Sequence, residues 1–198
     1  MLTDVEVLKE FEAAEAILKG HFILSSGLHS DTYLQCARVL MNPKRADRLC
    51  HSLAAKVEQA LAGERLDLVV APAMGGVIVG YEMGRQLGVD TIFCEREEGE
   101  FRLRRGFRIE PGQRVLMVED VVTTGKSSLE AVKCVEAAGG IVVAEACLID
   151  RSGGASRSLP FPLISLLTLE VQTFPADQVP AALADVEAVK PGSRFLQK

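Results

Sequence analysis

The sequence predicts an α/β fold in which a mostly parallel central sheet is flanked by helices. Four short apolar runs without alternation predict strands that are buried on both faces. These runs are Leu68–Val70, Ile92–Cys94, Val115–Val118 and Ile141–Val143. Between them, 76–87 and 127–138 predict the crossover helices that connect parallel strands.

Composition excludes several classes of protein. The chain has 198 residues, 48% of them hydrophobic and 25% charged, unlike disordered, collagenous or coiled-coil sequences. The net charge of −5 argues against nucleic acid or an anionic membrane as partner. Because the apolar runs are too broken to span a bilayer and the N-terminus is acidic, unlike a signal peptide, we expect a cytoplasmic protein.

Cysteine and histidine spacing predicts neither disulfides nor a zinc site. The five cysteines are odd in number, contain no Cys-x-x-Cys pair, and mostly lie in apolar surroundings. We therefore expect them to be buried small hydrophobic residues. His21, His29 and His51 fall outside any metal-ligand spacing.

The N-terminal segment predicts a helix and then a hairpin. A capping box at Thr3 begins the helix, and apolar residues follow at helical spacing as far as Leu18, with Gly20 ending the run. Two short strands around a glycine turn, 22–24 and 32–34, predict the hairpin.

The predicted α/β core comprises 43–170. Its first helix begins at Pro43 behind the capping residue Asn42 and ends before Gly63. The proline-punctuated tail, about 171–198, is expected to add a further helix to the N-terminal part. We treat the whole chain as a single domain.

Segment 95–110 interrupts the alternation of strand and helix. It contains five acidic residues and five arginines, which makes it too polar for a buried strand. It is also too long for a minimal connection, so it predicts a projecting flap. A solvated charged hairpin without a binding role is the alternative.

The strongest functional signal is the segment 115–127, VLMVEDVVTTGKS. A buried strand ends in Glu119 and Asp120, and a hydroxyl-rich turn then begins a helix. Such a turn, at the carboxyl end of a parallel strand, presents backbone N–H groups to a phosphate. Because carboxylates repel phosphate, the two acids must face something else, such as vicinal sugar hydroxyls or a magnesium shell. The pattern therefore indicates a phosphorylated sugar.

Two alternatives compete for this segment. In the first, Glu119 and Asp120 only terminate a strand and the turn only caps a helix. In the second, Gly125-Lys126-Ser127 is the end of a Walker A loop. That motif requires a glycine at the position of Asp120, so the match fails.

The acid pair and its threonine–glycine turn resemble the phosphoribosyl diphosphate (PRPP) fingerprint of type I phosphoribosyltransferases. FILSSGLHSDTYL at 22–34, APAMGG at 71–76 and LIDR at 148–151 resemble the orotate-specific members in particular. The resemblance implies the type I phosphoribosyltransferase fold, with a small hood formed by 1–42 and the tail, and a flap at 95–110. It also implies transfer of the phosphoribosyl group from PRPP to orotate, through an oxocarbenium-like transition state, in pyrimidine biosynthesis.

The resemblance assigns roles to individual residues. Glu119 and Asp120 are implied to hold the ribose hydroxyls and to lend negative charge beneath the ring. Arg151 is implied to bind orotate, with Thr123 as a polar partner and Tyr33 stacking on the base. The implied catalytic residues are Asp120, Glu119, Arg96 and Arg102. The implied PRPP-binding residues are Ala73, Met74, Gly75, Arg96, Glu119, Asp120, Val121, Val122, Thr123, Thr124, Gly125, Lys126 and Ser127.

The chain also departs from the family pattern. The flap lacks the family's lysines and histidine, so Arg96 and Arg102 are the candidate cations, and they are better suited to charge neutralisation than to proton donation. Ser25 stands where many relatives carry a PRPP-binding lysine. Family precedent implies a homodimer whose flap reaches the neighbouring active site, and Mg²⁺ carried by PRPP without direct protein ligands. It also implies that the 71–76 turn is a diphosphate loop, which can hold a non-proline cis peptide.

Two further functions compete with orotate transfer. A type I transferase for a purine base has no use for Arg151, because purine bases carry no carboxylate. A PRPP sensor that regulates nucleic acid fits the fold, but the net charge of −5 and the lack of an appended helix-turn-helix segment argue against it.

Overall fold

The computed structural model describes residues 1–24, 26–154 and 159–191. Its helices are α1 (Asp4–Ala13), α2 (Cys36–Leu40), α3 (Pro43–Leu61), α4 (Gly76–Leu87), α5 (Lys126–Ala137) and α6 (Ala181–Ala184). Its strands are β1 (Ile17–Ile23), β2 (His29–Leu34), β3 (Leu68–Pro72), β4 (Asp90–Glu97), β5 (Glu100–Leu103), β6 (Arg114–Val122), β7 (Ile141–Asp150), β8 (Leu163–Thr168) and β9 (Thr173–Phe174).

The central sheet confirms the predicted α/β architecture. Its strand order is β5-β4-β3-β6-β7-β8, with all strands parallel except the edge strand β5. The four predicted apolar runs lie within β3, β4, β6 and β7, and α4 has the predicted bounds. A fifth apolar run, LISLLT, forms the other edge strand, β8.

Helices cover both faces of this sheet. Leu116 and Val118 of β6 pack in one cluster with α1, α3 and α4, whereas Val115 and Met117 pack in a second cluster with α5. Successive side chains of a strand point to opposite faces, so one strand contributes to both layers. None of the helices in the described part of the chain has the length and apolar character needed to cross a bilayer.

The hood sheet has the strand order β1-β2-β9. The predicted hairpin is confirmed, but the prediction that the first helix continues to Leu18 is wrong, because α1 ends at Ala13. Glu15 then adopts a left-handed conformation with φ of 50°, and Ala16 is fully buried. From Ile17 onward the chain pairs with β2 instead of continuing the helix, and Gly20 lies within β1 where the register is irregular.

The tail joins the hood through backbone pairing. β9 pairs with β2, and the Val189 N–H and C=O bond to His21 and Ile23 of β1 at 2.9 Å each. The tail has a four-residue helix, α6, which buries no residue, and positions 192–198 of the predicted tail lie outside the described residues. Strand-type contacts attach the tail instead.

The flap is less separate than predicted. β5 extends the central sheet as an antiparallel hairpin with β4, and a left-handed turn at Glu98 and Gly99 connects the two strands. Phe101 and Ile109 are buried against α5 in the second cluster. These apolar residues attach the segment to the core, while its charged residues face outward.

Gly80 lets α4 pack closely on β3. A Cβ at this position would lie 2.7 Å from Ala71 Cβ, which cannot move without shifting the strand. We expect Gly80→Ala to lower the free energy of unfolding by about 1–3 kcal/mol, as over-packing does, measured by urea denaturation. The control Glu136→Ala, at an exposed position of α5, should change it by less than about 0.5 kcal/mol. Equal stability of the two variants would contradict the close packing.

Candidate active site

The carboxyl ends of β3, β6 and β7 meet at one edge of the central sheet. The chain leaves β3 through α4 toward β4 on one side, and leaves β6 through α5 toward β7 on the other. The direction of winding therefore reverses between β3 and β6, where open α/β sheets bind ligands. The segments that leave these strands are 73–75, 123–125 and 151–154.

The acid pair lies against the glycine turn that follows β3. A Cβ on Gly75 would lie 3.0 Å from both carboxylate oxygens of Asp120, and a Cβ on Gly76 would lie 3.3 Å from Glu119 Oε2. The same added Cβ on Gly76 would lie 2.9 Å from the Val118 carbonyl oxygen. A Cβ at Gly76 would clash with the backbone of β6, and a Cβ at Gly75 would require the Asp120 carboxylate to shift, so the glycine turn and the acid pair form one continuous surface.

Burial changes the protonation of both acids. It raises the pKa of Glu119 well above its ordinary value, and the neighbouring Asp120 and Glu145 raise it further. Burial also raises the pKa of Asp120, although its Oδ1 accepts a hydrogen bond from the Val121 N–H at 2.8 Å. The site thus holds two carboxyl groups that resist ionisation until something compensates their charge.

Two uncapped helices begin at this edge. α4 and α5 have the N-cap residues Gly75 and Gly125, and neither cap supplies a side-chain hydrogen bond. In contrast, Thr3 caps α1 and Asn42 caps α3 through side-chain oxygens. The uncapped N–H groups and the helix dipole suit a bound anion.

The turn between β6 and α5 is open to solvent. Gly125 has φ of 73°, a left-handed conformation that reverses the chain, and Thr124 Oγ1 accepts from the Lys126 N–H at 3.4 Å. The exposed side chains of this turn are Thr123, Thr124, Lys126 and Ser127, whereas Val121 is half-buried and Val122 is buried. Hydroxyls, an amine and backbone N–H groups are therefore available together.

Arg151 and Tyr33 meet beside the acid pair. The Arg151 N–H donates to the Val122 carbonyl at 2.8 Å, which places the residue next to the end of β6. Burial lowers the pKa of Arg151, and Tyr33 and Asp31 oppose this shift. Burial raises the pKa of Tyr33, as does Asp120, so the phenol lies within electrostatic range of both partners. The hood therefore brings Tyr33 to the edge of the core.

Arg151 has an unused donor. Its Nε is buried and has no hydrogen-bond partner among the described residues. A buried guanidinium N–H without a partner is costly, so a bound acceptor would remove this cost. The Phe22 ring, 5.7 Å from the Tyr33 ring, extends the aromatic surface next to it.

The loop after β3 has the form that the resemblance implied. The Ala73–Met74 peptide is cis, the Ala73 N–H donates to the Cys94 carbonyl at 2.8 Å, and Met74 is exposed. The other predicted member of this loop is Gly75, at the N-cap of α4.

The flap arginines do not join the acid pair in this structure. Arg96 pairs with Glu130 of α5, donates to the Gly99 carbonyl at 2.6 Å and lies 4.2 Å above the Phe101 ring. Arg102 pairs with two flap carboxylates, Glu97 and Glu100. Their roles at the site stay predictions, as does the role of Ser25, which lies outside the described residues.

Glu145 is a buried acidic residue near the site that the sequence pattern did not single out. It is fully buried on β7, and its carboxyl group acts electrostatically on Glu119. The available signal was a single acidic residue inside the apolar run IVVAEACLID. The cysteine prediction is confirmed: all five are free thiols, and Cys36, Cys50, Cys94 and Cys147 are buried.

Comparison with known proteins identifies relatives of this chain. The model of the phosphoribosyl transferase domain matches residues 38–177. The orotate phosphoribosyltransferases of Sphingopyxis alaskensis and Erythrobacter litoralis are 59% and 60% identical over 193 residues, which is 98% of this chain and 98% and 99% of theirs. The crystal structure of orotate phosphoribosyltransferase from Aeropyrum pernix superposes with a TM-score of 0.68 at 26% identity, covering 82% of this chain and 93% of that one.

Identity of about 60% over nearly the full length distinguishes the orotate-specific family from other phosphoribosyl transferases with this fold. The matched region includes the central sheet, both glycine turns and the acid pair. The chain belongs to the orotate phosphoribosyltransferase family of the phosphoribosyl transferases.

Proposed function

We propose that the acid pair, the two helix N-termini and Arg151 together transfer the 5-phosphoribosyl group from PRPP to orotate, giving orotidine 5′-monophosphate and diphosphate. The observation that carries this proposal is Arg151, which lies next to the end of β6 and has a buried Nε–H without a partner among the described residues. Purine bases have no carboxylate to accept from it.

Orotate binds between the hood and the core. Its carboxylate accepts from the Arg151 guanidinium, a charge-assisted contact that planar arginine makes well. Tyr33 covers one face of the pyrimidine ring, and Thr123 supplies a hydroxyl from the turn after β6.

PRPP spans the two uncapped helices. Its 5′-phosphate binds the turn 123–127 at the N-terminus of α5, and its diphosphate binds the loop 73–75 at the N-terminus of α4. The ribose between them donates its hydroxyls to Glu119 and Asp120. As the bond from the anomeric carbon to diphosphate breaks, positive charge develops on the ring and these carboxylates stabilise it.

Magnesium enters as part of the substrate. No cluster of three or more His, Cys, Asp or Glu side chains within 1–24, 26–154 and 159–191 has an arrangement suited to holding a metal ion. Mg²⁺ keeps several waters and binds phosphate oxygens readily, so magnesium–PRPP is the form that suits this site.

A second copy of the chain completes the enzyme. Apolar side chains are exposed around the start of α4: Met74, in the loop before the helix, is 82% exposed, and Ile78 and Tyr81, within the helix, are 50% and 70% exposed. Residues at this spacing form one helix face, and a homodimer would bury it beside the diphosphate loop. The partner's flap arginines then neutralise the leaving diphosphate. Five free thiols favour a reducing compartment, so we place the dimer in the cytoplasm.

A direct assay tests this function. The protein is mixed with magnesium, PRPP and orotate, and the loss of orotate absorbance is followed. Turnover with orotate and none with adenine, guanine or xanthine is expected. Turnover with a purine base would select the second candidate, and PRPP binding without turnover would indicate a sensor.

Arg151→Ala separates the two substrate sites. A hydrogen bond to a charged group contributes about 1.5–3 kcal/mol, so we expect the KM for orotate to rise by at least about tenfold while the KM for PRPP changes little. The control Arg65→Ala, at an exposed arginine before the amino end of β3, should leave both values unchanged. Equal increases in both KM values would mean that Arg151 is not in the base site.

Glu119→Gln should raise the free energy of unfolding and lower kcat. The pKa of Glu119 in the folded state lies above its ordinary value of 4.5, so as pH rises the unfolded state loses this proton before the folded state does. The free energy of unfolding of the wild type therefore falls between pH 4.5 and the pKa of Glu119 in the folded state. We expect the variant to exceed the wild type in free energy of unfolding by a margin that grows with pH, while kcat falls by roughly 10²-fold.

Urea denaturation at several pH values, alongside steady-state kinetics, checks both parts. Glu58→Gln, at an exposed position of α3, is the matched control. Parallel stability curves for the wild type and Glu119→Gln would show that this carboxyl group is not held protonated by the fold.

Tyr81→Glu tests the proposed dimer. A buried unpaired carboxylate in the interface is costly, so we expect monomers in analytical ultracentrifugation and a large loss of specific activity. Val5, which is 63% exposed on α1, offers the control Val5→Glu, which should remain dimeric and active. A fully active dimer of Tyr81→Glu would exclude this face as the interface.

A further inference from the structure

Glu145 lies under the first turn of α5. Its side chain is fully buried on the sheet face that α5 covers, next to Met117, its register partner on β6. The Ser128 hydroxyl donates to Glu145 Oε1 at 2.6 Å, and both groups are shielded from solvent. Glu145 Oε2 is buried and has no hydrogen-bond partner among the described residues.

This hydrogen bond acts on the segment that the proposed function assigns to phosphate. Ser128 is the third residue of α5 and follows the turn 123–127 directly. The apolar contacts of α5 with the sheet come later along the helix, from Ala131, Val132 and Val135. The Ser128–Glu145 bond is therefore a directional contact at the helix end where the 5′-phosphate binds.

An apolar pair would fill this position at lower cost. Because Glu145 Oε2 has no partner among the described residues, the buried carboxyl group loses hydration that the hydrogen bond from Ser128 does not replace. Carboxyl groups in such settings recur at functional sites. Glu145 also acts electrostatically on Glu119, so its charge reaches the acid pair as well as the helix.

We propose that Glu145 is a positioning residue for PRPP: it fixes the phosphate turn through Ser128, and it takes up a proton when the 5′-phosphate binds above it. This inference rests on the proposed function, since it requires phosphate at the turn 123–127.

The charges around Glu145 explain the proton uptake. Asp150 on β7 opposes its ionisation, whereas the hydrogen bond from Ser128 favours the ionised form and lowers the pKa of Glu145. Glu119 on β6 and Cys147 on β7 are also within electrostatic range, because Glu145 raises the pKa of each of them. From α5 it faces Ser128, and its own N–H donates to the Pro162 carbonyl, just before β8, at 3.0 Å. Burial raises the pKa of Glu145 to about 7, so the group changes charge near neutral pH. A phosphate anion at the end of α5 favours the protonated form further.

Linkage makes this effect reciprocal. If phosphate favours protonation of Glu145, then ionisation of Glu145 weakens phosphate binding, and the KM for PRPP rises as pH increases from 6 to 8. The second ionisation of the phosphate itself, with a pKa of about 6, acts in the opposite direction. The informative quantity is therefore the difference between the wild type and a variant that cannot ionise.

The test uses Glu145→Gln, Glu145→Ala and Ser128→Ala, with the KM for PRPP, the KM for orotate and kcat measured at pH 6, 7 and 8. Glu145→Gln keeps an oxygen that accepts from Ser128, so its KM for PRPP should match the wild type at pH 6 and fall below it at pH 8. Glu145→Ala and Ser128→Ala should raise the KM for PRPP about tenfold at each pH, with the KM for orotate within about twofold.

Two controls make the outcome decisive. Glu136→Gln, at an exposed position of α5, should behave as the wild type, and Thr124→Val should raise the KM for PRPP through the turn itself. If Thr124→Val has this effect while Ser128→Ala and Glu145→Gln keep the wild-type KM values and pH profile, the inference is overturned and the proposed function stands. If Thr124→Val has no effect, the phosphate assignment fails and the inference fails with it. Should Glu145→Ala not fold, Ser128→Ala and the Glu145→Gln profile decide alone.

Discussion

The active site depends on the contact between two carboxyl groups and two glycines. Glu119 and Asp120 lie near the carboxyl end of the buried strand β6, and the turn at Gly75 and Gly76 packs directly against them. A Cβ added to either glycine would lie only 3.0–3.3 Å from a carboxylate oxygen of the pair. A side chain at position 76 would clash with the backbone of β6, and one at position 75 would shift the Asp120 carboxylate. Because this approach also fixes the N-terminus of α4, the geometry of the acid pair and of one anion site is set by the same packing.

The fold leaves several polar groups unsatisfied, and the proposed substrates satisfy them. Gly75 and Gly125 give α4 and α5 no N-cap side chain, the Lys126 N–H makes a long contact of 3.4 Å with Thr124 Oγ1, and Arg151 Nε has no partner among the described residues. In the proposed complex, phosphates accept from the helix ends, the orotate carboxylate accepts from Arg151, and ribose hydroxyls donate to the acid pair. Groups that weaken the free protein therefore become the contacts that select PRPP and orotate.

Sequence patterns predicted the core better than its borders. The strands β3, β4, β6 and β7 were recognisable because burial on both faces requires uninterrupted apolar runs, and Gly75 and Gly88 mark the limits of α4. The end of α1 and the attachment of the tail were not predicted, because backbone pairing with a distant strand decided them. Likewise, the approach of Tyr33 to Arg151 depends on how the hood sits on the core, and local residue patterns carry no information about that arrangement.

The flap arginines illustrate why a closed state need not be costly. Arg96 and Arg102 are occupied by Glu130, Glu97 and Glu100 in this structure, and closure over a diphosphate requires these pairs to break. Exposed ion pairs contribute about 0–1 kcal/mol each, because solvent screens them. A diphosphate carries more charge and offers several acceptor oxygens to each guanidinium, so its contacts replace the lost pairs with a surplus. Under the proposed function, the exchange of these ion pairs for diphosphate contacts would favour closure, and the closed flap would exclude water from the reacting ribose.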